Sequence, residues 1–209
     1  MKGILRAASA SGLMLTFAAL GLHAQARVVL GLGGGAVIPM KSGFEAVEDP
    51  ELSVKSVGFG GMFVFEIIPK PESKIGIRLD LNYDNVHYES VAGRTKDPKM
   101  SIRNFNADIV FHPGGSGSVR PYIMAGPTLV SWDYRPNDAG GTGKVKASYG
   151  FNAGVGLGIG QGRLSFFVES RYIWTKSQAV AQVNNAGTEK GTAYIPIMVG
   201  IRIKPMEGN

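Results

Sequence analysis

The sequence of 209 residues contains no cysteine. A disulfide framework and a lipid anchor on an amino-terminal cysteine are therefore excluded. Long apolar runs are also missing, because no stretch approaches the about 20 apolar residues of a membrane-spanning helix. No segment of useful length shows helical periodicity, which favours an all-β chain. The net charge of +6 is dispersed without a basic cluster, and this argues against a nucleic-acid partner.

The first 26 residues have the pattern of a cleavable signal peptide. Lys2 and Arg6 precede a short apolar segment, and an Ala-Gln-Ala sequence follows at 24–26. A charged start, an apolar centre and an A-x-A cleavage site are typical of such peptides. The apolar centre is too short to span a membrane. We predict a signal peptide at 1–26 and one domain at 27–209.

Eight segments of this domain alternate between apolar residues and small, polar or charged ones, which is the period-two pattern of a β-strand. The predicted strands are 28–38, 55–67, 75–88, 101–112, 121–132, 149–160, 164–174 and 192–203. The facing of the fifth strand stays open because both of its faces are partly apolar. In a soluble sandwich the charged faces would meet water, whereas in a closed membrane barrel they would line the interior.

The connections between these strands alternate in length. Long connections are predicted at 40–54, 91–100, 135–145 and 177–190, and shorter ones at 69–74, 113–120 and 161–163. Short turns on one rim and longer polar loops on the other are expected of an outer-membrane barrel. An even number of strands then places both termini on the short-turn side, which would be the periplasm.

Two groups of aromatic residues fall on the apolar faces. One group lies near the long loops and the other near the short turns, with aliphatic residues between them, as in the interfacial belts of membrane barrels. The predicted belts comprise Phe59, Tyr83, Phe105, Phe151 and Trp174 on the long-loop side and Phe65, Phe111 and Phe166 on the short-turn side.

Charged residues fall on the opposite faces, which would line the lumen. The predicted lumen charges are Glu66, Arg78, Asp80, Asp84, Asp108, Glu169, Arg171 and Arg202. The interior of an eight-stranded barrel is just wide enough for side chains to fill it. Buried charges in that space should be paired, since an unpaired one costs several kcal/mol. We therefore predict an ion-pair network that fills the lumen.

Taken in order, these features resemble the small eight-stranded outer-membrane β-barrel proteins of Gram-negative bacteria, including the transmembrane domain of the outer-membrane protein A type and porin-like small barrels. The resemblance covers the whole domain. It is carried by the signal peptide, the sequence RPYIMAG at 120–126, the alternate glycines of 154–158 and the closing IPIMVGIRI at 195–203. Family members usually finish on an aromatic residue, whereas this chain has Ile203 and continues through 204–209.

The resemblance implies an eight-stranded antiparallel up-and-down transmembrane β-barrel, inserted as a monomer in the bacterial outer membrane. Both termini would be periplasmic. The implied partners are outer-membrane lipids, lipopolysaccharide and the assembly machinery of that membrane. No cofactor and no nucleic acid are expected. The expected role is structural, in membrane integrity and without catalysis.

Two alternatives remain open at this stage. A narrow pore for small solutes would result if the lumen ion pairs exchanged partners. A lipid-modifying enzyme is suggested by His87, Glu89 and Ser90 at one strand end, although neighbours on a strand point to opposite faces, which disfavours a nucleophile–base pair. The domain has only one other histidine, His112 at the opposite rim, so a histidine-rich metal site is excluded.

Overall fold

A computed structural model describes residues 26–40, 52–53, 57–70, 72–87, 89–90, 99–114, 117–135, 143–144, 147–160, 162–176 and 191–204. The predicted signal peptide lies outside the described residues, apart from its last position. Eight long strands are present: β1 Arg27–Pro39, β2 Gly58–Ile68, β3 Ile75–His87, β4 Lys99–Phe111, β5 Val119–Arg135, β6 Ser148–Ile159, β7 Leu164–Lys176 and β8 Gly191–Ile203. Each predicted strand corresponds to one of them.

The eight strands form one closed sheet. Each strand pairs antiparallel with the next along the chain. The register of β1 with β8, in which Gly34 is opposite Val199, closes the barrel. Two short pairs extend the long-loop side: Leu52–Ser53 with Glu89–Ser90, and Gly143–Lys144 with the end of β5. The predicted eight-stranded antiparallel up-and-down barrel is confirmed.

No helix that could span a membrane occurs in the described part of the chain.

Side chains alternate between the two surfaces of the barrel wall with the period of two that the sequence shows. Large apolar residues of all eight strands are exposed on the outer surface, whereas the charged residues of the strand centres are buried inside. The open question of the fifth strand is also answered. In β5, Tyr122, Met124 and Trp132 point inwards and are buried, whereas Ile123 and Leu129 are exposed.

The lumen is filled in layers. Apolar side chains occupy its long-loop end, and we call this group the apolar layer: Val37, Val86, Ile102, Val130, Trp132, Ile173 and Tyr194. The same cluster continues beside the charged residues through Met62, Val64, Phe167 and Met198. Charged and amide side chains occupy the middle of the lumen. A second, smaller apolar cluster of Val110, Tyr122 and Met124 lies towards the short turns. An eight-stranded barrel leaves room for side chains and little else, and these layers occupy that room.

The turn between β6 and β7 shows why glycine is needed at the short-turn rim. Gly160 and Gly162 have φ angles of 119° and 85°, in the left-handed region that other L-residues rarely adopt. The chain can therefore reverse direction within a few residues.

Candidate functional site

The middle of the lumen holds a group of buried charges drawn from four strands. We call it the lumen network: Arg78, Asp80, Asp108, Glu169, Arg171 and Arg202. Three cations face three carboxylates, so the formal charges balance. Alternate positions supply two members each from β3 and β7, because residues two apart on a strand share a face.

Glu169 is the centre of the lumen network. Its carboxylate accepts hydrogen bonds from Arg78 Nη2, at 2.9 Å to Oε2, and from Arg171 Nε, at 2.9 Å to Oε1. The hydroxyl of Tyr122 donates to Oε2 at 2.8 Å, and Arg202 Nη2 lies 3.5 Å from the same oxygen. One buried carboxylate is thus contacted by three guanidinium groups and one phenol.

Arg171 connects this centre to the opposite wall. Its Nη1 donates to Asp108 Oδ2 at 2.9 Å and its Nη2 to Asp80 Oδ2 at 2.5 Å. Asp80 also accepts from Arg78 Nε at 2.7 Å. Planar guanidinium groups can bridge several carboxylates because their donors point in fixed directions. The result is a continuous belt of charge-assisted hydrogen bonds across the lumen.

The other two predicted lumen charges are buried but lie apart from this network. Glu66 contacts His112 instead, with 2.8 Å between Oε1 and Nε2. Asp84 forms no ion pair within the described residues. Its Oδ2 accepts a hydrogen bond from Asn104 Nδ2 at 3.1 Å, and its Oδ1 has no partner there. The expectation that Asp84 joins an ion-pair network is therefore corrected: among the described residues no arginine lies within ion-pair distance of it, and its hydrogen-bond partner is the amide of Asn104.

Three contributors to the site were missed by sequence reasoning. Tyr122 lies on the strand whose facing was open, so its contact with Glu169 could not be anticipated. Asn152 donates to Asp108 Oδ1 at 2.7 Å, although its face seemed to hold only small residues. His112 was assigned to a rim, yet it lies an even number of positions after Asp108 and therefore on the lumen face. The alternation of β4, extended from Asp108 to His112, would have placed His112 on the lumen face.

The glycines of β6 make room for the lumen network. A Cβ atom on Gly156 would collide with the ring of Tyr122, and one on Gly154 would press on Arg171 Cγ at 2.8 Å. Both glycines face the lumen, where large side chains from neighbouring strands lie directly against the backbone. The glycines of β6 thus leave the space that the side chains of Tyr122 and Arg171 occupy.

A cleft of about 40 Å³ opens below the lumen network, at the short-turn rim. We call it the short-turn cleft. Its polar lining residues are Arg27, Glu66, His112, Arg120, Ser165, Arg202 and Lys204. Arg202 thus belongs both to the lumen network and to the cleft. It lies between two aromatic rings, with its Cζ 4.4 Å from the ring centre of Tyr122 and 4.8 Å from that of Phe167.

The predicted belt residues all lie on the outer surface of the wall. Six of them are exposed, and Phe65 and Trp174 are half-buried. The rings of Phe151 and Trp174 stack across the β6–β7 pair at 5.3 Å between centroids. Phe166 pairs with Ile159 beside the short turn. That these rings mark membrane interfaces stays a prediction.

The enzyme alternative depends on three residues at one strand end. The side chains of His87, Glu89 and Ser90 lie outside the described residues. Groups of three or more histidine and acidic side chains able to hold a metal do not occur in the described ranges.

No protein-family model and no curated protein matches this sequence. Solved structures do match. Neisserial surface protein A is 14% identical, with 85% of this chain and 96% of that chain covered, at a TM-score of 0.56. The outer membrane protein OprG of Pseudomonas aeruginosa is 14% identical, with 87% and 97% covered, at 0.55. Ail of Yersinia pestis, in complex with the heparin analogue sucrose octasulfate, is 12% identical, with 86% and 99% covered, at 0.52. At these identities the likeness is one of fold.

Proposed function

We propose that this protein is an integral β-barrel of the bacterial outer membrane with a structural role and a closed lumen. The observation that carries the proposal is the inverted polarity of the barrel. Charged side chains are buried at its centre, whereas large apolar side chains of all eight strands are exposed outside. In water, an apolar surface of this extent marks a contact with protein or lipid. Because a bilayer surrounds an inserted barrel, it would cover the exposed apolar side chains of all eight strands.

The distribution of outward charges supports the same location. From the short turns up to Arg103, outward positions of the described strands carry no charged residue. Outward charged residues occur beyond that level, towards the long loops, and include Asp133 and Lys176. A charged side chain on the lipid face costs about 2–4 kcal/mol at the bilayer midplane and little near the interfaces. The strands have this charge-free band where the hydrocarbon would lie.

The filled lumen supports a structural role over conduction. Passage of a hydrated solute would require both the apolar layer and the lumen network to open. Glu169 alone holds contacts with three arginines, and breaking a buried pair costs about 3–5 kcal/mol. A closed barrel of this kind would have a structural role in the membrane, without passage of solutes through its lumen. The proposal assigns it no catalysis.

Two measurements test the two parts of this proposal. Gel mobility of the protein in a washed outer-membrane fraction should shift on boiling, because folded membrane barrels stay compact in detergent until heated. Recovery from the soluble periplasm without such a shift would contradict the membrane location. In planar bilayers the folded protein should give no conductance steps. Regular steps would contradict the closed lumen and favour a narrow pore.

A further inference from the structure

The short-turn cleft carries more positive than negative charge. Its charged lining consists of four cations and one carboxylate: Arg27, Arg120, Arg202, Lys204 and Glu66. The carboxylate of Glu66 contacts the imidazole of His112. Among the described residues, no arginine lies within hydrogen-bond distance of this carboxylate. The lumen network above it, in contrast, has equal numbers of cations and carboxylates. Arg202 belongs to both groups, and when it is counted with the lumen network the cleft still has three cations, Arg27, Arg120 and Lys204, against the one carboxylate of Glu66. Positive charge is thus in excess in the cleft.

Arg202 has the properties of an anion receptor at the inner end of this cleft. The side chain is buried, and its guanidinium plane is held between Tyr122 and Phe167. One edge makes a long contact of 3.5 Å with Glu169, and its Nε has no hydrogen-bond partner among the described residues. A guanidinium fixed in this way loses little freedom when it binds, and its fork of donors matches an oxyanion.

The mouth of the cleft repeats this arrangement. Arg27 also lines the cleft, and its Nε is buried without a hydrogen-bond partner in the described structure. Arg120 is anchored beside it, with Nη2 donating to the carbonyl of Gly160 at 2.9 Å. Buried donors in native proteins are nearly always satisfied. One acceptor of the lining, Glu66 Oε2, is also without a partner in the described structure, but a single carboxylate oxygen does not match the number of arginine donors. The unsatisfied donors therefore indicate an acceptor that comes from outside the chain.

We propose that the short-turn cleft binds the oxyanion head of a ligand, a carboxylate or a phosphate, which enters from the short-turn side. The volume of about 40 Å³ exceeds the roughly 10–15 Å³ that one water needs. It fits a small anionic group and not a whole metabolite, so the rest of the ligand extends through the mouth. Arg202 binds the head at the inner end, while Arg27 and Arg120 neutralise it at the rim. This site requires no conduction through the lumen.

Nuclear magnetic resonance of the folded protein in phosphatidylcholine nanodiscs tests this proposal. Sodium acetate and sodium phosphate are each titrated against sodium chloride at constant ionic strength, with the ¹⁵Nε signal of Arg202 as the probe. A saturable shift with acetate or phosphate is expected. In a second arm, nanodiscs that contain phosphatidylglycerol replace the added anions, and a shift there identifies a lipid headgroup as the source. Equal shifts with chloride, or no shift in any arm, would overturn the proposal.

Two arginine variants of the same rim separate a site from general attraction. Arg120→Gln should weaken the binding of the better anion about tenfold, since it removes a charged donor. Arg163→Gln removes the same charge from the exposed turn beside the cleft, which it does not line, and should leave the affinity unchanged. An equal loss in both variants would contradict a built site. Both must show the heat-dependent mobility shift, and Lys204→Gln replaces Arg120→Gln if the latter does not fold.

Discussion

The apolar layer and the lumen network fill the same barrel by different physical means. In the apolar layer, Trp132 and Tyr194 meet edge to face at 6.2 Å between ring centroids, and buried area provides the stabilisation. In the lumen network, Glu169 is held by directed bonds to three arginines. Apolar contacts weaken gradually as atoms are removed, whereas a buried ion left without its partner is penalised at once. The two layers should therefore respond very differently to equally small substitutions.

The largest difference is expected for Glu169→Gln. This nearly isosteric change removes the charge that faces three buried guanidinium groups. We expect a loss of about 3–5 kcal/mol in the free energy of unfolding, because the three buried cations then face only the two carboxylates of Asp80 and Asp108. Urea-induced unfolding of the protein in lipid vesicles measures it.

The matched control for this change is Glu72→Gln. Glu72 is exposed in the short turn between β2 and β3, so the same chemical change should have almost no effect there. Equal effects at the two positions would mean that the lumen network does not stabilise the barrel. The layers would then differ in composition only.

A smaller loss is expected for Gly156→Ala, which attacks the lumen network through its packing. The added methyl group would collide with the ring of Tyr122 and displace the hydroxyl that donates to Glu169. Overpacking of this kind costs about 1–3 kcal/mol. Gly158→Ala is the control two residues along the same strand, where the nearest atom is the Arg120 carbonyl oxygen at 3.6 Å. If both variants unfold alike, the strand propensity of the new residue and not crowding would explain the loss.

The apolar layer should be more tolerant. Ile173→Val removes one methylene from a fully buried side chain and should cost about 0.5–1.5 kcal/mol. Ile109→Val removes the same group from the outer surface, where the side chain is 65% exposed and no interior cavity forms. A loss at Ile173 as large as that of Glu169→Gln would contradict the distinction between the layers.

The alternation of residues predicts the outer surface and the buried face well, and the reason is the fixed period of a strand. It does not predict which buried charges meet. Arg171 and Asp108 are 63 positions apart in the sequence, and only the relative shift of neighbouring strands around the barrel brings them to one level. The same shift leaves Asp84 beside Asn104, without a direct ion pair among the described residues. Tyr122 was missed for a simpler reason, since apolar residues occupy both faces of β5.

The smallest effect is expected where the same ionic chemistry occurs on the outer surface. Arg103 Nη2 lies 3.9 Å from Asp133 Oδ2, and the side chain of Arg103 is 63% exposed. Exposed pairs of this length contribute about 0–1 kcal/mol, so Arg103→Gln should leave unfolding in urea nearly unchanged. The pair differs from those of Glu169 in its surroundings more than in its chemistry. A loss near that of Glu169→Gln would mean that the bilayer surface around Arg103 is as poorly hydrated as the lumen. The contrast between buried and exposed ion pairs would then not apply to this barrel.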